Sequence, residues 1–234
     1  MTSANHTPQI IGTARQQLSV TGAGGLTLAA VADASGLTVA EVQASFPHRD
    51  DLLTALIIDA YNESGAALEA ADQAARDDGA APGERLLAAA RGLRGWSIAH
   101  PGEFALLYGS PVPGYHAPPE TVLPAARTPA ALAVIVRSAL EAGQLEAPRR
   151  VIPGPPLLLP AAAELFGGQP GQPFGDLIER GIVLWSNLIG LLIFEIFGRT
   201  HDSVQDQAAF FDYAIAVAAE GIGLTVAAPS GTPA

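Results

Sequence analysis

Apolar residues recur at spacings of three and four along most of the chain, and runs that alternate every second residue are scarce. That periodicity marks amphipathic helices rather than strands and predicts an all-α protein. Ile10, Ile11, Ala14 and Leu18 share one side of a first helix over 8–21. The run TGAGG at 21–25 ends it as a plain turn. No strand precedes this run and no Gly-Lys-Ser/Thr follows, so it does not read as a phosphate-binding loop. Two short helices come next, parted at Gly36. Leu28, Val31 and Ala32 lie on one face of the first; Val39, Val42 and Phe46 lie on one face of the second. Thr27 and Thr38 stand at N-cap positions, each with a side-chain oxygen free to accept an orphan backbone N–H. Gly36 supplies the stop between them. Phe46-Pro47 closes the second, because the residue before proline avoids helical angles. Two helices this short across a three- to four-residue turn make a helix-turn-helix, whose second helix can enter the DNA major groove.

The pattern continues as longer helices. Asp50 and Asp51 suit the first turn of a helix running to about Arg76, with Leu52, Leu53, Leu56, Ile57, Ala60 and Tyr61 as its buried stripe. After the loop DDGAAPGE, a helix over 84–100 carries Leu86, Leu87, Leu93 and Trp96. His100-Pro101 breaks it, and a short helix with Phe104, Leu107 and Tyr108 follows. GSPVPGYHAPP at 109–119 is irregular. A helix over 129–142, a proline-rich extended stretch over 148–160, a short helix over 160–166 and a loop over 167–173 lead to two long helices near 174–199 and 203–224. Residues 181–198 are apolar almost all round, so that helix must be covered on more than one face. The run falls short of the about 20 apolar residues of a membrane span and carries Asn187 and Glu195, so a core-and-dimer helix accounts for it better. No internal repeat is evident. The reading divides the chain into a DNA-binding domain over 1–48, a ligand-binding and dimerisation domain over 49–225, and a disordered tail over 226–234.

Composition changes this picture in two ways. The absence of cysteine excludes disulfides, thiolate metal sites and cysteine nucleophiles, and suits a cytoplasmic location. MTSANHTPQI lacks the basic and apolar regions of a signal peptide. The net charge of −11 is the larger surprise, because a strongly acidic chain repels phosphate backbones unless its few cations gather on one face. All twelve basic residues are arginine. Within residues 1–60, Arg15 and Arg49 stand against Asp33, Glu41, Asp50, Asp51 and Asp59, a net of −3.

Residues 8–60 resemble the N-terminal domain of TetR-like transcriptional repressors. The matching pieces are Ile10-Ile11 with Ala14, Thr27-Leu28-Ala29-Ala30-Val31-Ala32, Gly36-Leu37-Thr38, Phe46, and Arg49-Asp50-Asp51-Leu52-Leu53. The stretch 96–108, with Ala-His-Pro ahead of a short aromatic helix, is similar to one ligand-domain subtype of the same family. The resemblance implies a three-helix DNA-binding domain followed by a helical ligand domain, with the last two long helices pairing across a homodimer. It also implies a double-stranded DNA operator, a small-molecule ligand and no cofactor. The DNA-facing residues it implies are Thr27, Thr38, Ala40, Gln43, Ser45, His48 and Arg49. Gln43 stands where such proteins often have tyrosine, and can read adenine in bidentate fashion. Glu41 can accept from a cytosine amine but repels phosphate. Arg49 stands where they have a phosphate-contacting lysine. Two readings stay open: a dimer that binds a palindrome, and a sensing or partner-binding dimer that keeps the helix-turn-helix as a scaffold.

Aromatic and aliphatic walls with a few polar tips make a small-molecule pocket. Trp96, Phe104, Leu107, Tyr108, Tyr115, His116 and Trp185 are the candidates, Tyr115 and His116 foremost because they lie on an irregular loop. With no arginine cluster to mark an anion site, the expected ligand is apolar and uncharged or cationic. His6, His48, His100, His116 and His201 fall at no metal-ligand spacing, and no Gly-x-Ser-x-Gly elbow appears, so an enzyme is not expected. Scattered acids such as Asp72, Asp77 and Asp78 read as a solvated face.

Overall fold

A computed structural model describes residues 6–148, 150, 157–200 and 202–227. It is helical, and among the described residues no strand forms; one antiparallel bridge joins Leu145 to Leu224. By contact the chain falls into two compact units: Met1–Ser64 with Trp96–Ala125, and Gly65–Gly95 with Ala126–Ala234. The division therefore does not follow a single cut at residue 48.

The first unit holds α1 (Thr7–Gly25), α2 (Leu28–Ser35), α3 (Val39–Ser45) and the start of α4 (Arg49–Asp77). It also takes the end of α5 (Pro82–Ala99), α6 (Pro101–Tyr108), a 3-10 turn at Pro119–Thr121 and the start of α7 (Val122–Glu141). The caps and stops of α2 act as predicted, but the TGAGG run does not end α1. Gly22, at φ 66°, kinks α1 inside the TGAGG run, so the helical turns resume briefly rather than stop. Thr27 Oγ1 accepts from the Ala30 amide at 3.1 Å, and Gly36 ends α2 in the left-handed region at φ 70°. Truncating such a cap costs about 1 kcal/mol. Ile10, Ala14, Leu18, Leu26, Val31, Val42, Phe46, Leu52, Leu53 and Leu56 close a common core. Each buried Val, Leu, Ile or Phe side chain among them contributes about 1.5–3 kcal/mol. α6 packs against α1 at Gly102, where a Cβ would lie 2.9 Å from the Ser19 backbone nitrogen. That close approach explains why α6, remote in sequence, belongs to this unit.

The second unit holds the rest of α4, α5 and α7, with α8 (Pro160–Leu165), α9 (Leu177–Ile196) and α10 (Gln207–Glu220). α7 begins seven residues before the expected start at Pro129, which instead sits inside the helix. An internal proline removes an N–H donor and costs about 3 kcal/mol. Burial of Leu132, Ile135, Val136 and Ala139 offsets it. Asp72 is not on a solvated face: it is buried and receives Arg85 Nε at 2.8 Å, Arg85 Nη2 at 3.1 Å and Arg76 at 3.0 Å. Arg85 also donates to Ser138 Oγ at 3.0 Å. Two further bidentate pairs fasten α5 to the last helices. Arg91 holds Asp212 at 2.9 and 2.7 Å, and Arg94 holds Glu195 while lying over the Phe211 ring.

At 20 residues α9 is long and apolar enough to cross a membrane, as is 119–141, so the expectation of too short a run does not hold. Protein contacts account for α9 instead. Leu184, Leu188 and Leu192 are buried, and Glu195 is paired with Arg94. Val226, assigned to a disordered tail, is buried and described. The rest of that expected tail from 228 onward, the core of the proline-rich stretch at 151–156, and His201 lie outside the described residues.

Candidate functional site

The outward face of the helix-turn-helix is small and polar. Thr27, Thr38, Ala40, Gln43 and His48 are exposed, and Ser45 is half-buried. α3 is held by a reciprocal capping box: the Glu41 amide donates to Thr38 Oγ1 at 3.2 Å, and Glu41 Oε2 accepts from the Thr38 amide at 2.8 Å and its hydroxyl at 2.7 Å. Thr38 and Glu41 together start the helix, through Glu41 Oε2. The capping hydrogen bonds, first that from the Thr38 backbone, hold the Glu41 carboxyl below its ordinary value. A lowered folded value means the cap's contribution is full above the ordinary carboxylate range and lost as pH falls through the folded value. On acidification, the Thr38 amide should lose protection from hydrogen exchange before the amides of α2; protection at Thr38 that outlasts theirs would show the cap is not limiting.

Arg49 has a structural use as well. Its Nε donates to the Leu26 carbonyl at 2.7 Å and its Nη2 to the Ala23 carbonyl at 2.7 Å. The guanidinium thus satisfies the carbonyls at the end of α1 and fixes the entry to α2, the favourable place for a cation at a helix C-terminus. Arg15 is likewise engaged, by Glu63 at 2.7 Å and Asp59 at 3.5 Å. The two cations counted for this unit both have protein partners.

The aromatic candidates separate. Trp96, Phe104 and Tyr108 lie in the first unit. The Trp96 ring stacks on His100 at 5.4 Å, and Tyr108 meets Phe104 at 5.1 Å and Tyr61 edge-on at 6.2 Å. Burial pushes the phenols of Tyr61 and Tyr108 up, so neither ionises near neutrality. Phe104 is fully buried and Leu107 half-buried. Tyr115 packs against the helix-turn-helix core, and its hydroxyl lies 3.0 Å from Thr54 Oγ1. His116 is exposed. Tyr115 is thus accounted for by tethering the 109–118 loop within the first unit.

Trp185 alone among the candidates lines a cavity of the second unit. That cavity has about 630 Å³ of empty space, part of it open to solvent. Its walls come from α7, α9 and the segment after α8: Leu132, Val136, Phe166, Ile178, Ile182 and Leu184 among others, with Arg137 as the one charged residue. The sequence does not mark these residues, because a helix stripe that lines a cavity has the same spacing as one that fills a core. Among the described residues no cluster of three or more His, Asp or Glu is placed to hold a metal.

Residues 86–218 match the family model described as Tetracyclin repressor-like, C-terminal domain. HTH-type transcriptional regulator Rv1816 of Mycobacterium tuberculosis is 34% identical over 209 residues, covering 87% of this chain and 86% of its own. Among solved structures, that of the protein SCO4313 is 26% identical with a TM-score of 0.68, covering 92% of this chain and 96% of its own. That of RolR in complex with resorcinol is 16% identical with a TM-score of 0.55, covering 99% and 97%, a likeness of fold.

Proposed function

The chain belongs to the TetR family of transcriptional regulators, and from that premise we propose that it is a ligand-responsive repressor in the cytoplasm that binds a palindromic operator as a homodimer. The observation that carries this reading is the capped α3, which leaves Ala40 and Gln43 exposed on its outward side. A two-fold dimer presents two such helices to two half-sites. The dimer surface is an apolar stripe that the second unit leaves exposed on α9 and α10, including Val183, Phe194, Phe210, Tyr213 and Val217. The cavity lined by Arg137 and Trp185 is the ligand site. A ligand that favours one spacing of the two recognition helices releases the operator by linkage.

Selection of genomic fragments bound at low salt tests the reading, and enrichment of a palindrome is the expected result. Gln43→Ala should then relax preference at one base of each half-site, at a cost of about 1–3 kcal/mol for the correct base. Because few cations face outward, the fall of affinity with salt should be shallow. A second reading has its own support: Arg49 and Arg15 are both engaged within the protein, which favours a sensing dimer without an operator. Failure to enrich any sequence decides for it.

A further inference from the structure

We propose that the cavity of the second unit takes an apolar monocarboxylate, with Arg137 as its charge partner. This rests on the reading of that cavity as the ligand site, and names the class of ligand it selects.

Arg15, Arg76, Arg85, Arg91, Arg94, Arg127 and Arg180 each have a carboxylate oxygen within 4.0 Å. Arg137 has none among the described residues, yet it is half-buried and lines the apolar cavity walled by α7 and α9. A cation set in apolar surroundings without a counter-ion is costly, and the cost is relieved by whatever anion enters.

The guanidinium is also held in place. Its Nη2 donates to the Phe166 carbonyl and, at 3.2 Å, to the Gly168 carbonyl. The group lies against Gly167, where a Cβ would sit 2.7 Å from Arg137 Cζ, and the φ of +83° there favours glycine in any case. A guanidinium has five N–H donors in a planar fork. With Nη2 spent on the loop carbonyls, Nε–H and the Nη1 hydrogens have no hydrogen-bond partner among the described residues. A carboxylate accepts from two donors of such a fork at once.

The walls set the rest of the class. Leu132, Val136, Ile178, Ile182 and Trp185 offer surface only to an apolar body. One arginine balances one negative charge, so a monocarboxylate fits where a phosphate dianion leaves charge uncompensated. A cationic ligand meets repulsion. This replaces the expectation of an uncharged or cationic ligand, which rested on the lack of an arginine cluster in the sequence.

The test uses the full chain without DNA. Octanoate and 4-phenylbutyrate are titrated calorimetrically at neutral pH, each against its primary amide. At least one acid should bind tenfold or more tighter than its amide. Arg137→Gln should remove that preference while leaving the weaker amide binding in place. Since Arg137 also holds the loop after α8, a second variant guards against loss of folding. Gly181 lines the cavity, and a Cβ added there meets nothing within 4 Å. Gly181→Leu should therefore fill the space and abolish binding of acid and amide alike, with the helical signal unchanged. Equal binding of acid and amide by the unaltered protein, with Gly181→Leu blocking both, overturns the charge assignment and leaves the cavity as the ligand site. Acid binding that survives Gly181→Leu overturns the site itself. Absence of binding by every probe also overturns the inference, whereas operator binding is judged separately by fragment selection.

Discussion

Val183→Arg is expected to turn a dimer into a monomer at micromolar concentration. Val183 is 60% exposed on α9 and Tyr213 62% exposed on α10, with Phe194, Phe197 and Val217 completing an apolar stripe. A soluble protein rarely leaves a stripe of this kind to water, and one carried by two adjacent helices suits an isologous four-helix contact. A charge within it must be desolvated without a partner if the contact forms. The side chain is exposed within its own subunit, so helix content and thermal unfolding of the subunit should hardly change. Operator affinity should fall by about 10²–10⁴, the gain that linking two half-site contacts ordinarily gives. Sedimentation and DNA binding measure the two effects. A variant that stays dimeric would move the interface elsewhere. A variant that becomes monomeric with undiminished DNA binding would remove the need for two half-sites.

Arg94→Ala is expected to destabilise the second unit by on the order of 3 kcal/mol. Arg94 and Glu195 are 20% and 14% exposed at their side chains, and the pair is bidentate. Alanine leaves the Glu195 carboxylate without its partner in a place where water reaches it poorly, and removes the stack on Phe211. Much of the cost is that stranded charge rather than the worth of the pair. Adding Glu195→Gln to Arg94→Ala should therefore recover part of the loss. Denaturant unfolding gives both numbers; a loss under about 1 kcal/mol would class the pair with ordinary surface ion pairs. The pair also anchors α9, so the single variant should weaken dimerisation, which Glu195→Gln restores only if the α9 backbone is what had shifted.

The helix-turn-helix was legible because its signals are local. Thr27, Gly36, Thr38 and the Phe46-Pro47 pair act on backbone groups within four residues of themselves, and each does in the fold what its chemistry predicts. The apolar faces of α2 and α3 were equally plain, since a helical stripe needs only spacing. Pro129 misled because a proline that starts a helix and one tolerated inside it look alike until the burial that offsets it is known. Tyr115 makes a related point. A loop can be ordered by packing on a neighbouring core, as Tyr115 is through Thr54, without any ligand.

Charge was the least legible property, because charges are judged by partners that the chain brings from far away. Arg49 reads in the sequence as a phosphate contact, yet it also serves the carbonyls of Ala23 and Leu26, and Arg15, counted only as a charge, is paired with Glu63. Asp72 counted as solvated until Arg85, thirteen residues on, reached it. Arg137 drew no notice in the sequence, and acquires meaning only from the carbonyls that hold it and the apolar walls beside it. The sequence by itself determined the helical class, the helix-turn-helix and the family, because periodicity and capping are short-range physics. Tertiary structure decided which cations are free, which aromatics meet and where the cavity lies. Those depend on distances between residues tens of positions apart, and only packing sets them.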